Sequence, residues 1–304
     1  MRVPATFSRA DESTALGAAA RPTVSRAAIA WRSLRRDRLA LAGLAVVLLA
    51  VLGAVFAPFL APHDPYRVNA AARLLPPGTP GHLLGTDDIG RDIASRLLWG
   101  GPLSLWVAAV PVLVSGTLGL ILGLVSGYAR GWVDQVLMRA LDVVLAFPSI
   151  LLAIGIAAAL GPGLQNVVMA IVVVSVPIFA RLVRGLVLSV REREYVEAAR
   201  CLGASTARIV LRHVLPNVLP SVIVHATLET GRVVIFAAGL SFLGLGVQPP
   251  AADWGAMLAA GRQVLAVAPH VATIPGLVIF IVTLGFNLLG DGLRDALDPR
   301  LRGT

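Results

Sequence analysis

Residues 191–220 read REREYVEAARCLGASTARIVLRHVLPNVLP. Charges crowd the first half, while Tyr195, Val196, Ala199, Leu202, Ile209, Val210 and Val214 recur at roughly helical spacing. Gly203 interrupts that pattern, since a residue without Cβ enters a backbone turn that others resist. The spacing predicts two short amphipathic helices meeting near Gly203, with Ser205 placed to cap the second. Pro216 is placed to start the next long helix, where its missing N–H costs little. Periodicity leaves two readings open: a folded connector offered to a partner, or a partly helical loop resting on lipid headgroups.

On either side of this stretch the chain is apolar. Of its 304 residues 57% are hydrophobic and 14% charged, against about 45–50% and about 25% in soluble domains. Mean hydropathy is +0.81. A bilayer core about 30 Å thick needs roughly 20 apolar residues in a helix, and six runs approach or exceed that. They are 39–60, 102–128, 143–160 (extending back through Met138 and Asp142), 164–190 with Arg181 and Arg184 inside, 214–247 with Glu229 and Arg232 inside, and 271–289. The expected fold class is an all-α membrane protein with six transmembrane helices.

All 26 basic residues are arginine, and their distribution orients the chain. Eight lie in the tail to Arg38, two in 127–139, seven in 181–213 and three from Asp291 onward, giving twenty on one side. The other side carries five: four between His63 and Gly100, and Arg262. The positive-inside rule places both termini in the cytoplasm. Residues 1–30 contain no apolar h-region, so no cleavable signal peptide is expected. The net charge of +9 thus has a sufficient cause in topology and lipid attraction, and no nucleic-acid partner is expected.

Several function classes fall away. No lysine is present, which excludes a P-loop ATP site, a Schiff-base lysine and any catalytic lysine. Cys201 stands alone, which excludes an internal disulfide and multi-cysteine metal sites. H-E-x-x-H and G-x-S-x-G are absent. We expect no catalytic residue, no metal site and no cofactor in this chain. Energy for active transport must then come from another polypeptide or from an ion gradient.

Glu197-Ala198-Ala199, then Gly203 after three intervening residues and Leu215-Pro216 downstream, resembles the EAA motif of binding-protein-dependent ABC importer permeases. The family favours an apolar residue where His213 stands. The resemblance covers nearly the whole chain. The segments 82–92 (HLLGTDDIGRD), 239–246 (GLSFLGLG), 287–295 (NLLGDGLRD) and 297–302 (LDPRLR) resemble the C-type permease subunit of dipeptide, oligopeptide and nickel importers. This implies a type I ABC importer permease fold. Its parts would be a cytoplasmic tail 1–38, a first span and extracytoplasmic segment 39–101, a five-helix core 102–291 and a cytoplasmic tail 292–304. The implied place is a bacterial or archaeal inner membrane. The implied partners are a sister permease in a heterodimer, two ATPase subunits that bind ATP and magnesium, and an extracytoplasmic solute-binding protein. The implied cargo is peptides or related solutes such as nickel chelates.

The resemblance makes 191–213 the coupling helix, with Glu197, Ala198, Ala199, Gly203, Leu215 and Pro216 at the ATPase contact. Asp87, Asp88, Arg91 and Asp92 form either a docking surface for the binding protein or sister subunit, or a connector whose 85–87 stretch caps a short helix leading to Leu98. Glu229 and Arg232, at i and i+3 inside a span, are either pathway groups or a structural ion pair. Relatives often carry an acid just before the G-L-S-F-L-G stretch, where this chain has Phe236-Ala237-Ala238. Arg139 and Asp142 are another i, i+3 pair, expected to serve as anchors near the cytoplasmic end, and His225 is expected to serve helix packing. An ion-coupled secondary transporter is the alternative; it predicts repeated halves, and no convincing repeat is found.

Overall fold

A computed structural model describes residues 34–297. Residues 1–33 of the expected N-terminal tail and residues 298–304, which hold most of the closing motif and the end of the expected C-terminal tail, lie outside the described residues. The helices are α1 Arg38–Val55, α2 Ala57–Leu60, α3 Ile93–Ala129, α4 Gly131–Leu145, α5 Ser149–Leu160, α6 Leu164–Arg191, α7 Glu194–Cys201, α8 Thr206–Ile209, α9 Leu215–Phe242, α10 Trp254–Arg262 and α11 His270–Leu297. Among the described residues no strand forms, only isolated bridges at Thr79–His82 and Thr86–Asp92.

Local chemistry sets several of these boundaries. Asp37 caps α1, accepting the N–H groups of Leu39 and Ala40. Asp92 caps α3, its carboxylate accepting the Ser95 N–H at 2.8 Å. The cap lies at Asp92 and not at 85–87, so α3 starts nine residues before Pro102 and replaces the expected short helix. Its 37 residues give a rod of about 56 Å, well beyond a bilayer core of about 30 Å.

Five of the described helices are long and apolar enough to cross a membrane, and six spans result if α4 and α5, bent by 83°, together count as one. The run 143–160 was expected as one helix. Instead the chain breaks at 146–148, because Pro148 offers no N–H and disfavours a helical Phe147 before it. Asn166 then donates its amide to the carbonyls of Leu160 and Gly161 at the end of α5. The span from 214 also differs from expectation. It ends at Phe242, and it begins as a continuation of α8 through a widened turn at Val210–Val214. There the Leu215 N–H reaches back five residues to the Val210 carbonyl, a widening found where the four-residue ladder is already interrupted, here by Pro216.

The bundle has two distinguishable ends. At one, Arg191 donates to the Tyr128 carbonyl at 2.6 Å, joining the ends of α3 and α6 beside the 192–214 segment; this is the hinge end. At the other, the Gly163 N–H donates to the Leu245 carbonyl, and the Trp254 indole of α10 donates to the Leu97 carbonyl of α3 at 2.9 Å. The loop 61–92 lies there; this is the loop end. A Cβ at Gly292 of α11 would meet Ala40 of α1 and approach Leu34, so both described ends of the chain share the hinge end.

The most extensive helix contact is α3 on α6. A Cβ at Gly119 would sit 2.3 Å from the Phe179 Cβ, at Gly123 2.6 Å from the Val183 Cβ, and at Gly127 2.8 Å from the Val187 Cβ. Phe179, Val183 and Val187 are fully buried. Glycines four residues apart form one groove in which the two backbones touch, the small-residue packing that joins helices in lipid. Leu39, Leu48, Leu49, Leu113 and Leu118 point outward, as a chain solvated by hydrocarbon allows. Replacing Gly123 with Leu is expected to destabilise the bundle by about 1–3 kcal/mol through overpacking. A lower thermal midpoint by far-UV circular dichroism in detergent would register this. Gly155→Ala, where a Cβ meets nothing within 4 Å, should leave the midpoint unchanged.

Candidate functional site

At the hinge end, α7 and α8 stand on two anchors. Val196 and Ile209 are 0% and 1% exposed, so each short helix presses one apolar side chain into the bundle. Between them α7 ends in a paired turn. The Ala204 N–H donates to the Ala199 carbonyl and the Gly203 N–H to the Arg200 carbonyl, while Gly203 holds φ at +77°. This is the Schellman arrangement, which needs a left-handed residue at that place. A Cβ on Gly203 would touch nothing within 4 Å, so backbone angle and not crowding requires the glycine. Ser205 accepts the Arg208 N–H at 3.4 Å and opens α8.

The outer face of this turn is bare. Glu197, Ala198 and Gly203 are exposed, Ala199 is half-buried, and Leu202 is 88% exposed. A groove beside them is lined by Tyr195, Ala198, Leu202, Arg208 and His213. Leu215 is half-buried and Pro216 exposed at the first turn of α9. The six residues of the sequence motif thus lie along one connected segment.

Behind the turn sits a brace that sequence reading missed. Arg184 of α6 grips Asp134 of α4 with two bonds of 2.6 Å, and Ser126 of α3 donates to the same carboxylate. Nearby, Arg181 of α6 pairs with Asp142 of α4 at 2.6 Å. Asp142 therefore pairs across helices and not with Arg139 of its own helix, as the i, i+3 spacing suggested. Arg130 meets Glu192 at 2.5 Å, and the Arg191 guanidinium lies over the Tyr128 ring. The arginines that interrupt the fourth apolar run were visible in the sequence; their partners, some 40–50 residues away, were not.

At the loop end, Asp87 accepts the N–H groups of Ile89 and Arg91 and pairs with the Arg91 side chain at 2.6 Å. Thr86 donates to the Ala72 carbonyl. A Cβ on Gly90, φ +83°, would sit 1.9 Å from the Asn69 carbonyl oxygen, so the G-T-D-x-x-G-R-D stretch closes on the preceding loop. Asp92 is buried under His82 and Ser95. Asp88 and Arg91 are half-buried. Asp87 and Asp92 face inward, and their carboxylates shape the loop.

Midway along α9, Arg232 donates to both oxygens of Glu229, and Ser175 of α6 donates to the same carboxylate at 3.3 Å. The i, i+3 pair forms. Glu229 is 4% exposed, whereas 40% of the Arg232 side chain remains open, with its guanidinium over Phe236. The His225 ring packs edge-on against Phe179.

Comparison with known proteins adds the following. The family profile described as binding-protein-dependent transport system inner membrane component matches residues 119–303. A second, the N-terminal transmembrane domain of oligopeptide transport permease C, matches 25–77. A dipeptide transport system permease protein of Alkalihalophilus pseudofirmus is 47% identical over 90% of both chains. A glutathione transport system permease protein of Pectobacterium atrosepticum is likewise 47% identical over 90% of both. Among solved structures, a chain of the MetNI methionine ABC transporter in inward-facing form superposes with a TM-score of 0.55. That match covers 66% of this chain and 96% of the other at 21% identity, and it shows a shared fold.

Removing one partner of the α4–α6 brace leaves the other charge half-buried. Arg184→Ala is expected to cost about 1.5–3 kcal/mol, read as a lowered thermal midpoint in detergent. Arg181→Ala, at a pair exposed on both sides, should cost less than about 1 kcal/mol.

Proposed function

Because the chain belongs to the inner membrane components of binding-protein-dependent transport systems and is therefore a multi-pass permease subunit of an ABC importer, we propose that it carries short peptides or peptide-like solutes inward. Relatives named for dipeptide and glutathione transport support that cargo class. Family membership sets aside the ion-coupled carrier. Orientation follows the arginine count: the hinge end and both termini face the cytoplasm, and the loop end faces outside.

The observation that carries the mechanism is the rigid turn at 199–204 with its bare face. An ATPase subunit docks there. Ala198 and Gly203 allow its backbone to come close, Glu197 supplies a charge contact, Leu202 is buried on docking, and Leu215 and Pro216 border the contact. ATP and magnesium are bound by two such partner subunits and not by this chain. Because α7 and α8 are fixed to the bundle by Val196 and Ile209, a displacement of the turn is passed to α6 and α9. Rigid-body movement of that kind exchanges inward and outward access.

A sister permease completes the pathway in a heterodimer. Arg232 is a half-open charge midway along a membrane helix, costly against lipid and tolerable against protein or water. We place it and Glu229 on the pathway side, with Glu229 as the buried support and Arg232 as the group offered to anionic or carboxyl-terminated cargo. The 61–92 loop receives the solute-binding protein, with Asp87, Arg91 and Asp92 holding its shape and Asp88 half-buried beside them.

The test is reconstitution in lipid with the ATPase, sister and binding-protein products encoded alongside. Ligand-stimulated ATP hydrolysis is expected. Glu197→Lys and Gly203→Asp should lower it roughly tenfold or more, about 1.4 kcal/mol of coupling, without loss of assembly; full stimulated activity in assembled variants would overturn the docking assignment. For the pathway, Arg232→Gln should reduce uptake of carboxylate-bearing peptides while basal hydrolysis stays unchanged. Uptake unaltered in both Arg232→Gln and Glu229→Gln would make the pair purely structural.

A further inference from the structure

At the loop end, folding gathers three residues that lie 19 and 10 positions apart: His63 just after α2, His82 in the middle of the loop, and Asp92 at the start of α3. One potential ligand atom from each lies within 4.8 Å of the others. The imidazole rings stack with centroids 4.8 Å apart and planes 30° apart. Nδ1 of His82 stands 2.9 Å from Asp92 Oδ1, and Nδ1 of His63 stands 3.9 Å from the same oxygen.

Two features distinguish this group from a loop contact. First, His63 Nδ1 is buried with no hydrogen-bond partner, a state that needs a cause. Secondly, the two Asp92 oxygens are divided. Oδ2 takes the Ser95 N–H and hydroxyl at 2.8 and 2.7 Å, which leaves Oδ1 to the imidazoles. The Ser95 oxygen in turn accepts the His63 backbone N–H at 3.0 Å. One serine therefore orients the carboxylate, as outer partners of metal ligands do, and holds the backbone of the first histidine beside it.

We propose that His63, His82 and Asp92 bind a divalent transition-metal ion of the zinc class, with the fourth position left to water. Two imidazoles and a carboxylate are a recognised zinc ligand set. An ion held at about 2.0–2.1 Å puts tetrahedral ligands about 3.4 Å apart; the two histidine–aspartate separations of 2.9 and 3.9 Å lie on either side of that spacing, and the overall spread of the ligand atoms, up to 4.8 Å, closes on binding by rotation of the imidazoles. Entry is open, since the His63 side chain is 37% and that of His82 18% exposed. The ion would tie the beginning and middle of the loop to the cap of α3, fixing the outer surface relative to the longest helix of the bundle.

The experiment uses the full-length chain, purified in detergent without a polyhistidine tag. Equilibrium dialysis against zinc, followed by mass-spectrometric metal counting, should give one ion per chain. Cobalt in its place should give the intense visible absorption of a low-coordinate site. The double variant His63→Asn/His82→Asn keeps the Asp92 cap, so α3 is retained, as far-UV circular dichroism would verify. It should lose the cobalt spectrum and weaken zinc binding by more than the roughly 100-fold that an outer partner alone contributes. His213→Asn, at the hinge end, should change neither. Absence of stoichiometric zinc from the unsubstituted chain, or binding that persists in the double variant, would overturn the proposal.

Discussion

The structure depends on one contact, the approach of α3 and α6 across Gly119, Gly123 and Gly127. In lipid, apolar side chains gain little from facing one another, so helices associate by close backbone packing and by polar bonds. The glycine groove supplies the first. It places Phe179, Val183 and Val187 of α6 inside α3 at zero exposure, and so fixes the register of the fourth span against the second. The polar bonds then tie α6 to its other neighbours as well: Ser175 to Glu229 of α9, Arg184 to Asp134 of α4, and Arg191 to the Tyr128 carbonyl of α3 at the hinge end.

Charges inside the spans follow the same economy. A carboxylate in low dielectric must meet an opposite charge or donors. Asp134 and Asp142 do so across helices, and Glu229 within its own. Arginine suits the inter-helix pairs because its planar fork can bind a carboxylate with two parallel bonds, as Arg184 does. Arg232 keeps 40% of its side chain open while bound to Glu229, and under the proposed pathway role a transported group would compete for its guanidinium.

The hinge end joins rigidity to exposure. Two buried anchors, a Schellman turn and a serine cap hold a surface with few contacts of its own. A flexible loop with the same composition would absorb a partner's movement. A turn locked by Gly203 and tied through Val196 and Ile209 is suited to pass such a movement into the long helices, as the proposed coupling role requires. The loop end is built on the same logic with different parts: acids and glycines turned inward, so that shape is retained in a segment without regular structure.

Much of this was legible in the residues. Apolar run lengths fixed the number of spans, because hydrocarbon thickness and helical rise leave little choice. Gly203 with Ser205 marked the turn between the two short helices, since capping chemistry acts within a few residues of itself. Tertiary structure decided what acts across distance. Pro148 split the third span because backbone sterics prevailed over apolar composition, and Asp142 turned to Arg181 because packing of α4 on α6 put that arginine closer than Arg139. The cap of α3 fell at Asp92 because the Asp87 carboxylate was already held by the loop's own N–H groups. The gathering of His63 and His82 over Asp92, like the Ser126–Asp134–Arg184 brace, required the whole fold: sequence determines which groups must be satisfied, and only packing determines which partner lies within reach.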